Sequence, residues 1–375
     1  MRPTPVTPVQ PPKPTTAALA GVRAGPAIES LGLTAESARG ALAAFRLSCP
    51  ALVRRADPSE LTRQGDWTAV CADAMTRLDV DGPDFFARWF ETAVIGDGAS
   101  FATGYYEPEI MGSRTPYPGY DTPIYRRPPD LVDAEFTANP NGPTGRKQRG
   151  RMQDGQLVPY YDRAAIDAGA LAGQGLEIAW ARDPIEFFFL QIQGSGRLLQ
   201  PDGTVMRIGY DGQNGREYLA IGRSMRDRGL LGPNQLSMQG VMAGLRAQPD
   251  GGRAIMEEDK SYIFFREVVG PGPLGALGVQ VVGHVSVAAD PKFIPLGAPL
   301  FLTMDRAEAS GIWVAQDTGG AIKGANRFDT FWGAGQSART IAGGMSARGR
   351  ALLLLPKGTV ARLRAMGDGE ASAQR

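Results

Sequence analysis

Apolar residues recur at helical spacing in the first quarter of the chain, and they predict three helices. The first begins at the N-cap Thr34 and ends before Pro50, whose ring nitrogen cannot donate a backbone hydrogen bond. The second spans 66–78, where apolar residues at i, i+3, i+4, i+7, i+8 and i+11 form one continuous stripe. The third lies near 83–95, with Pro83 in its first turn and large aromatic side chains on its buried side.

Short apolar runs separated by glycine and proline predict strands from residue 101 onwards. Two early strands are expected at 101–106 and 123–125. The apolar run 184–193 is predicted to be a buried strand, with Gln191 and Gln193 on the same face as two phenylalanines. Further strands are expected at 261–266, 277–288, 298–304, 311–316, 327–332 and 351–355. This pattern favours a compact barrel or sandwich.

Four shorter helices are predicted between these strands. They follow Asp162, span about 214–228, begin near Asn234 or Ser237, and lie at 337–342. The helix of 214–228 is indicated by arginines in its last turn and a glycine after it. The predicted fold class is therefore mainly β with several α-helices.

The amino-acid composition is that of a globular protein and argues against a nucleic-acid-binding protein. The chain has 375 residues, enough for two domains, and 43% of them are hydrophobic, as in globular proteins. Forty Lys and Arg residues face 39 Asp and Glu residues, and the net charge of +1 argues against a nucleic-acid partner. The basic segment 145–151 is therefore interpreted as a solvated loop.

Histidine and cysteine usage limits the cofactors. The chain has one histidine, His284, which makes a multi-histidine metal site impossible. We interpret it as a satisfied residue of the strand 277–288. The two cysteines, Cys49 and Cys71, form no CxxC pair, so no zinc or thioredoxin-like site is expected. No run of about 18 apolar residues predicts a membrane-spanning helix. Neither a metal nor a cofactor is therefore expected.

The stretch 311–335 carries the main candidate chemistry. A strand ends on Asp317, two glycines allow a tight turn, and a second strand carries Asp329 between aromatic residues. Two carboxylates in an apolar, glycine-rich setting can form a site that holds and releases a proton. Two structural alternatives stay open: Asp317 can cap its own turn, and Asp329 can pair with Arg327.

A second candidate lies at the end of the run 184–193. Gln191 and Gln193, followed by a Gly-Ser-Gly turn, offer amide donors and acceptors beside aromatic surface. This combination suits a sugar, which has hydroxyls at its rim and C–H groups on its faces. Ordinary polarity at the end of a strand is the alternative.

Several ordered motifs resemble one known family. They are TGYYEPEI (103–110), TPIYRRPPDL (122–131), FFLQIQGSGRL (188–198), GYDGQNGREYLAIGRSM (209–225), SYIFFRE (261–267), GHVSVAADPKFIPLGAPLF (283–301) and AQDTGGAIKGANRFDTFWG (315–333). Together they resemble the membrane-bound lytic murein transglycosylase A family from about residue 26 to residue 357.

This resemblance implies a double-psi β-barrel domain, split in sequence, with a second β domain inserted and a glycan-binding groove between them. The implied boundaries are a disordered Pro-rich leader at 1–25, a barrel with N-terminal helices at 26–107 and 229–358, an inserted domain at 108–228, and a C-terminal tail at 359–375.

The resemblance also implies roles for individual residues. The C-terminal part resembles a small module named for three aspartates, which fall on Asp290, Asp317 and Asp329. The catalytic acid of the family maps onto Asp329, with Asp317 near it. The implied substrate-binding residues are Thr103, Tyr105, Tyr106, Gln191, Gln193, Ser195, Gly320 and Lys323.

The implied activity is cleavage of the β-1,4 MurNAc–GlcNAc bond of peptidoglycan without water, which forms 1,6-anhydro ends. Two alternatives remain, a glycoside hydrolase that uses Asp329 and Asp317, and a catalytically silent peptidoglycan-binding protein. The expected partners are glycan strands, the expected location is the periplasm, and a monomer is expected. Many members carry an anchoring cysteine near the N-terminus, which residues 1–21 do not show. Outer-membrane association would therefore need a preceding segment.

An envelope location bears on the two cysteines, because a disulfide persists outside the reducing cytosol. Cys49 lies near the end of one predicted helix, and Cys71 lies on the apolar stripe of the next. We predict a disulfide between these two helices. Two buried free thiols are the alternative.

Overall fold

The computed structural model describes residues 14–135, 147–232, 235–270 and 272–373. Its α-helices are α1 (Ala17–Ala20), α2 (Ala35–Leu52), α3 (Thr68–Thr76), α4 (Gly82–Trp89), α5 (Arg163–Asp167), α6 (Pro184–Gln193), α7 (Ile221–Asp227), α8 (Met238–Arg246), α9 (Arg253–Met256), α10 (Gly335–Gly344) and α11 (Thr359–Ala373). Its strands are β1 (Val22–Ala24), β2 (Phe90–Ile95), β3 (Ala99–Glu107), β4 (Glu109–Ser113), β5 (Thr122–Tyr125), β6 (Val132–Glu135), β7 (Lys147–Gln153), β8 (Gln156–Pro159), β9 (Glu177–Ala181), β10 (Ser195–Leu199), β11 (Val205–Gln213), β12 (Ile263–Glu267), β13 (Ser286–Ala289), β14 (Pro299–Met304), β15 (Gly311–Asp317), β16 (Arg327–Ala334) and β17 (Ser346–Pro356).

The chain divides into two compact units. The first contains Met1–Ala102, Val285–Asp329 and Ala347–Arg375, and the second contains Thr103–His284 and Thr330–Ser346. The residues 229–284, which the sequence analysis assigned to the barrel domain, group with the second unit. The domain boundaries inferred from the sequence stay a prediction.

The strands that carry the three aspartates belong to an eight-stranded sheet with the order β1-β2-β17-β14-β15-β13-β16-β3. A further pairing of β17 with β3 closes the six strands from β17 to β3 into a ring. The parallel pair β13 and β15 lies next to β16, so the ends of neighbouring strands meet at one edge. The predicted fold class, mainly β with a barrel and several helices, is confirmed.

An aromatic core holds the helices of the first unit against its sheet. Phe45 of α2, Phe85 and Phe86 of α4, and Phe90 of β2 are at most 1% exposed. Their ring centroids lie 5.3–5.8 Å apart in the pairs that contact each other. Aromatic pairs at such distances add about 0.5–1.5 kcal/mol beyond the area that they bury. The helices predicted at the start of the chain thus form the outer layer of the barrel unit.

One buried amide links this helical layer to the strand that ends on Asp317. Gln316 of β15 is fully buried, and its Nε2 donates to Ala44 O at 2.9 Å and to Ser48 Oγ at 3.0 Å, both in α2. Its Oε1 accepts a 2.5 Å hydrogen bond from Ser286 Oγ of β13. A buried amide is stable only when it is bonded, so this residue fixes the relative position of α2, β13 and β15.

The second unit contains a six-stranded sheet with the order β12-β11-β10-β4-β9-β5 and a three-stranded sheet of β6, β7 and β8. A core of aromatic and aliphatic side chains covers one side of the larger sheet, with Tyr160, Leu190, Phe264 and Phe265 fully buried within it. A smaller core packs α6 against α7, α8 and α9. This unit supplies all the predicted sugar-binding residues that precede residue 200.

The apolar run 184–193 is the main correction. It is the helix α6, and the predicted strand is wrong. Asp183 caps it by accepting hydrogen bonds from Ile185 N and Glu186 N, Pro184 occupies its first position, and Gly194 ends it with a φ of 79°. The start and stop signals were present in the sequence, but short apolar runs do not distinguish a buried strand from a buried helix.

Several predicted boundaries also change. The helix near 83–95 ends at Trp89, and its second half is the strand β2. The helix of 214–228 is shorter, because Asn214 bonds the backbone of Tyr161 and Lys260 and stays outside it. Of the strand 277–288, only the part from Ser286 is a strand.

Some predicted loops are ordered. Part of the predicted leader forms α1 and β1, and β1 pairs antiparallel with β2, while residues 1–13 lie outside the described residues. Part of the basic segment 145–151 belongs to β7, where Arg149 binds Asp133 at 2.6 Å. The predicted C-terminal tail is largely the helix α11. In the part of the chain that the structure describes, no helix is both long and apolar enough to cross a bilayer.

The structure joins Cys49 of α2 and Cys71 of α3 in a disulfide, with their Cα atoms 5.4 Å apart. The helix α2 continues through Pro50 to Leu52, since a proline near the end removes only one backbone hydrogen bond. The bridge closes a loop across 22 residues and is buried at both ends. It therefore fastens α3 to the helix that Gln316 holds.

Replacing both Cys49 and Cys71 with alanine is expected to lower the free energy of unfolding by about 3 kcal/mol, because the unfolded chain loses a cross-link. Urea unfolding of oxidised protein with and without reductant measures the effect, and the double variant should not respond to reductant. Two titratable thiols in denatured, unreduced protein would contradict the bridge.

Replacing Gln316 with alanine is expected to destabilise the protein by about 2–4 kcal/mol, because it opens a cavity and leaves the groups that Gln316 bonds without a partner. The matched control is Gln200→Ala, because Gln200 is a partly exposed glutamine in the turn between β10 and β11. Equal melting temperatures for the two variants would show that the buried network is dispensable.

Candidate active site

Asp329 lies in the middle of β16 and is partly exposed between two fully buried neighbours, Phe328 and Thr330. Asn326, the residue before this strand, has a left-handed φ of 55°. The Asn326 side chain donates to Ile95 O at 2.9 Å, and its carbonyl accepts from Phe101 N at 3.1 Å. No role was predicted for Asn326 from the sequence, although asparagine tolerates such a backbone better than most residues do.

Arg327 is the cation associated with Asp329. Its guanidinium stacks on the ring of Phe101 at 4.9 Å and donates to the carbonyl of Phe328. Burial lowers the pKa of Arg327 below its usual value, and the negative charge of Asp329 counters that shift. The guanidinium of Arg327 and the carboxylate of Asp329 thus interact electrostatically, as one of the two structural alternatives predicts. A cation is therefore held on the same strand as the candidate acid.

Asp317 and Asp290 lie at the ends of the neighbouring strands β15 and β13. Asp317 Oδ1 accepts a 2.8 Å hydrogen bond from Thr318 N, as expected for a turn cap. Asp290 is buried; it accepts from Lys292 N at 3.1 Å and from Gly324 N at 2.8 Å. Asp290 therefore ties down the loop between β15 and β16, and the order β15-β13-β16 groups all three aspartates on adjacent strands.

That loop also carries two predicted substrate-binding residues. Gly320 and Lys323 are both exposed, and nothing lies within 4 Å of the position that a Cβ would take at Gly320. The loop is thus fixed at its two ends by Asp317 and Asp290 and open in its middle. The role of Gly320 and Lys323 in binding stays a prediction.

Two aromatic residues follow Asp329 on β16, and both are buried in the second unit. The ring of Phe331 packs on Tyr105 at 4.9 Å, and Trp332 packs edge-on against His284 at 5.1 Å. His284 has a φ of 65° and donates its backbone N–H to Phe331 O. It is therefore not the strand histidine that was predicted; it lies in a turn before β13.

Gln191 lies inside the second unit. Its side chain is 1% exposed, its Oε1 accepts from Arg163 Nη1 at 2.6 Å, and its Nε2 donates to Ile263 O at 3.1 Å. Arg163 is itself buried and also donates to Ser261 O and Asp259 O. Because both ends of the Gln191 amide are bonded internally, this placement does not support its predicted contact with a sugar. No local pattern in the chain predicts this role for Arg163.

Gln193 has a different environment. It is the last residue of α6 and is partly exposed, and its Oε1 accepts a 3.1 Å hydrogen bond from Tyr106 N. Within the described ranges, no group accepts a hydrogen bond from its NH₂, which leaves two donors for a ligand. Gln193 is therefore the better placed of the two glutamines.

The remaining predicted substrate-binding residues lie on β3 and at the start of β10. Tyr106 is buried with its hydroxyl near Met238, and burial raises the pKa of that hydroxyl. Tyr105 is also buried, while Thr103 and Ser195 are partly exposed. Neither tyrosine presents an open ring face of the kind expected for stacking on a sugar. In the ranges that the structure describes, no group of three or more potential ligands is arranged to hold a metal ion.

Comparison with known families covers both units. Residues 101–266 match the family described as the MltA specific insert domain, and residues 285–355 match the 3D domain. These two matched ranges contain most of the sequence motifs and all three aspartates.

Two curated relatives are named membrane-bound lytic murein transglycosylase A. The protein of Vibrio cholerae is 30% identical over 252 residues, which cover 64% of this chain and 61% of the relative. The protein of Escherichia coli is 31% identical over 263 residues, which cover 67% of this chain and 64% of the relative. The matched segments thus span less than two thirds of these relatives.

Solved structures extend the similarity. MltA from Neisseria gonorrhoeae is 34% identical with a TM-score of 0.75, and the match covers 94% of this chain and 98% of that one. The membrane-bound lytic murein transglycosylase from Agrobacterium tumefaciens is 31% identical with a TM-score of 0.81, covering 91% and 99%. Escherichia coli MltA with bound chitohexaose is 26% identical with a TM-score of 0.64, covering 86% and 90%. On its fold, its two family matches and its aspartates, this chain belongs to the membrane-bound lytic murein transglycosylase A family.

Proposed function

We propose that this chain is a lytic transglycosylase, which cleaves the β-1,4 bond between MurNAc and GlcNAc in peptidoglycan without water. The observation that carries the proposal is a single strand-borne carboxylate, Asp329, set between buried residues on β16. The names of the curated relatives and the chitohexaose bound to Escherichia coli MltA support a glycan as the substrate. The envelope association implied by the relatives' names supports action in the periplasm.

Asp329 acts twice in the proposed reaction. It begins protonated and gives its proton to the glycosidic oxygen, so that the leaving sugar departs as an alcohol. Positive charge develops on the remaining MurNAc ring, which becomes oxocarbenium-like. The ionised Asp329 then takes the proton of the MurNAc 6-hydroxyl as that oxygen bonds to the anomeric carbon. The product is a 1,6-anhydro sugar, and the substrate itself supplies the nucleophile.

Asp317 has a supporting role in this proposal. A carboxylate that already accepts the Thr318 N–H is suited to stabilise developing positive charge and to hold the loop. A hydrolase would instead need it as the base or nucleophile that activates water or attacks the sugar. The two reactions therefore differ in what Asp317 must do and in whether water enters the product.

Replacing Asp329 with asparagine is expected to lower the rate of release of soluble muropeptides from sacculi by about 10²–10⁴-fold or more, because acid-base help is lost. Asp317→Asn should lose less. Rates are compared at equal protein concentration, with the melting temperature as the control for folding. An active Asp329→Asn variant would remove Asp329 from the catalytic role.

The mass of the released products separates the two reactions. We expect anhydro-MurNAc ends, which lack one water (about 18 Da) relative to reducing ends. Products with reducing-end MurNAc would establish a hydrolase. Binding to sacculi without any release of fragments would establish a binding protein.

Gln193→Ala is expected to weaken glycan binding about tenfold, because an unpaired sugar hydroxyl costs about 1–3 kcal/mol. Binding is measured by calorimetry with chitohexaose in the Asp329→Asn background. The control is Gln200→Ala, since the amide of Gln200 is bonded to Thr204. An unchanged affinity in Gln193→Ala would place this residue outside the binding site.

A further inference from the structure

An open pocket of about 430 Å³ lies on the second unit, and none of its lining residues has a role in the proposed reaction. Its lining residues are Pro116, Tyr117, Pro118, Tyr120, Asp121 and Trp180. Three aromatic rings, two prolines and one carboxylate thus share a small surface concavity. Such a mixture of apolar walls and few polar groups is typical of small-ligand sites.

The segment Tyr117-Pro118-Gly119-Tyr120 is a tight turn that fixes one of these rings. Tyr120 N donates to Tyr117 O at 2.9 Å, and Gly119 has a φ of 79°. Glycine at the third position supplies the positive φ that a type II turn requires, and proline is common at the second position. The Tyr117 ring packs edge-on against Tyr120 at 5.6 Å, yet Tyr117 is 51% exposed while Tyr120 is 7% exposed. The backbone of this exposed residue is thus set by the turn, and one side of its ring is packed on Tyr120, which lowers the entropy cost of binding.

Trp180 of β9 supplies a hydrogen-bond donor. The other four tryptophans each donate their indole N–H: Trp67 to Thr62, Trp89 to Asp73, Trp313 to Ala309 and Trp332 to Thr330. Within the described residues, no acceptor takes the indole N–H of Trp180, which is partly exposed in the pocket. A tryptophan that is partly buried usually finds a partner for this group, so a ligand acceptor is the natural complement.

Asp121 supplies an acceptor. It is exposed beside the turn, and no arginine or lysine of the described ranges lies within 4 Å of its carboxylate. A ligand that satisfies both groups must accept from Trp180 and donate to Asp121. A sugar hydroxyl does both, and the C–H face of a pyranose ring fits an exposed aromatic ring.

A proline-rich peptide is the competing occupant, because such peptides dock in aromatic-lined grooves. Its prolines have no N–H groups, and its side of the contact consists mainly of rings and carbonyl oxygens. Its carbonyl oxygens could accept from Trp180, but its prolines offer no N–H group to the Asp121 carboxylate. The free acceptor therefore favours a sugar.

We propose that the pocket of Tyr117, Asp121 and Trp180 is an additional carbohydrate-binding site, which holds a pyranose ring of a β-1,4-linked glycan strand. The choice of a glycan rests on the proposed function. The site takes no part in bond cleavage, and it gives the protein a second point of attachment to a long strand. Two linked contacts on one polymer raise the affinity beyond that of either contact alone.

The fluorescence emission of Trp180 can report whether a sugar binds in this pocket. The test titrates the Asp329→Asn variant with the tetramer of β-1,4-linked N-acetylglucosamine and records tryptophan emission. We expect a saturable change that is absent when Trp180→Phe is added. Tyr117→Ala should weaken the Trp180-dependent transition about fivefold to tenfold, through loss of the ring contact. Tyr117→Phe should retain it.

Tyr210→Ala is the matched control, since Tyr210 of β11 is also 51% exposed and does not line the pocket. The proposal is overturned if no Trp180-dependent change occurs, or if Tyr117→Ala and Tyr210→Ala bind alike. It is also overturned if the peptide of residues 3–13, PTPVTPVQPPK, changes the Trp180 emission and the sugar does not.

The two proposals fail separately. Full activity of Asp329→Asn on sacculi would remove the proposed catalytic role, yet the Trp180 titration would still report sugar binding. Loss of the Trp180 signal with normal cleavage by the native chain would remove only the additional site. Melting temperatures of the Tyr117 and Trp180 variants identify any that fail to fold.

Discussion

The buried amide of Gln316 is the interaction on which the arrangement of the first unit depends. Its side chain forms hydrogen bonds with β13 on one side and with α2 on the other, and the next residue in the chain is Asp317. Removing a buried amide from water is unfavourable unless its donors and acceptor are all matched, so only one arrangement of α2, β13 and β15 satisfies it. The position of α2 is thereby fixed. The Cys49–Cys71 disulfide then attaches α3 to α2, and the aromatic core packs further elements against α2.

The site itself combines rigid strands with one open loop. Asp290 accepts two backbone N–H groups and Asn326 anchors the start of β16, so the two ends of the loop between Asp317 and Asp329 are fixed. Catalytic groups on strands are held more precisely than groups on loops. Arg327 adds a positive charge on the same strand as Asp329, and its stacking on Phe101 keeps it in place. Asp329 is thus held by backbone geometry, while the middle of the loop stays exposed.

Local patterns predicted much of this arrangement. The two strands that carry Asp317 and Asp329 were correct to within a few residues, because alternation of apolar side chains and paired glycines are local signals. The short helix after Asp162, the helix after Ser237 and the mainly β class were also correct. One interpretation of Asp317 was that it caps its own turn, and the hydrogen bond that it accepts from Thr318 N shows that it does.

Local patterns along the chain are sufficient to predict the β-rich class, the three aspartates and the strands that carry Asp317 and Asp329. That 184–193 is a helix depends on tertiary packing, since a short apolar run can be buried in either form and the choice depends on what surrounds it. That choice placed Gln191 inward on Arg163, a partner 28 residues away, and left the amide of Gln193 open to a ligand. Which polar group is consumed inside the protein and which remains for a substrate depends on long-range hydrogen bonds, and no local pattern in the chain encodes them.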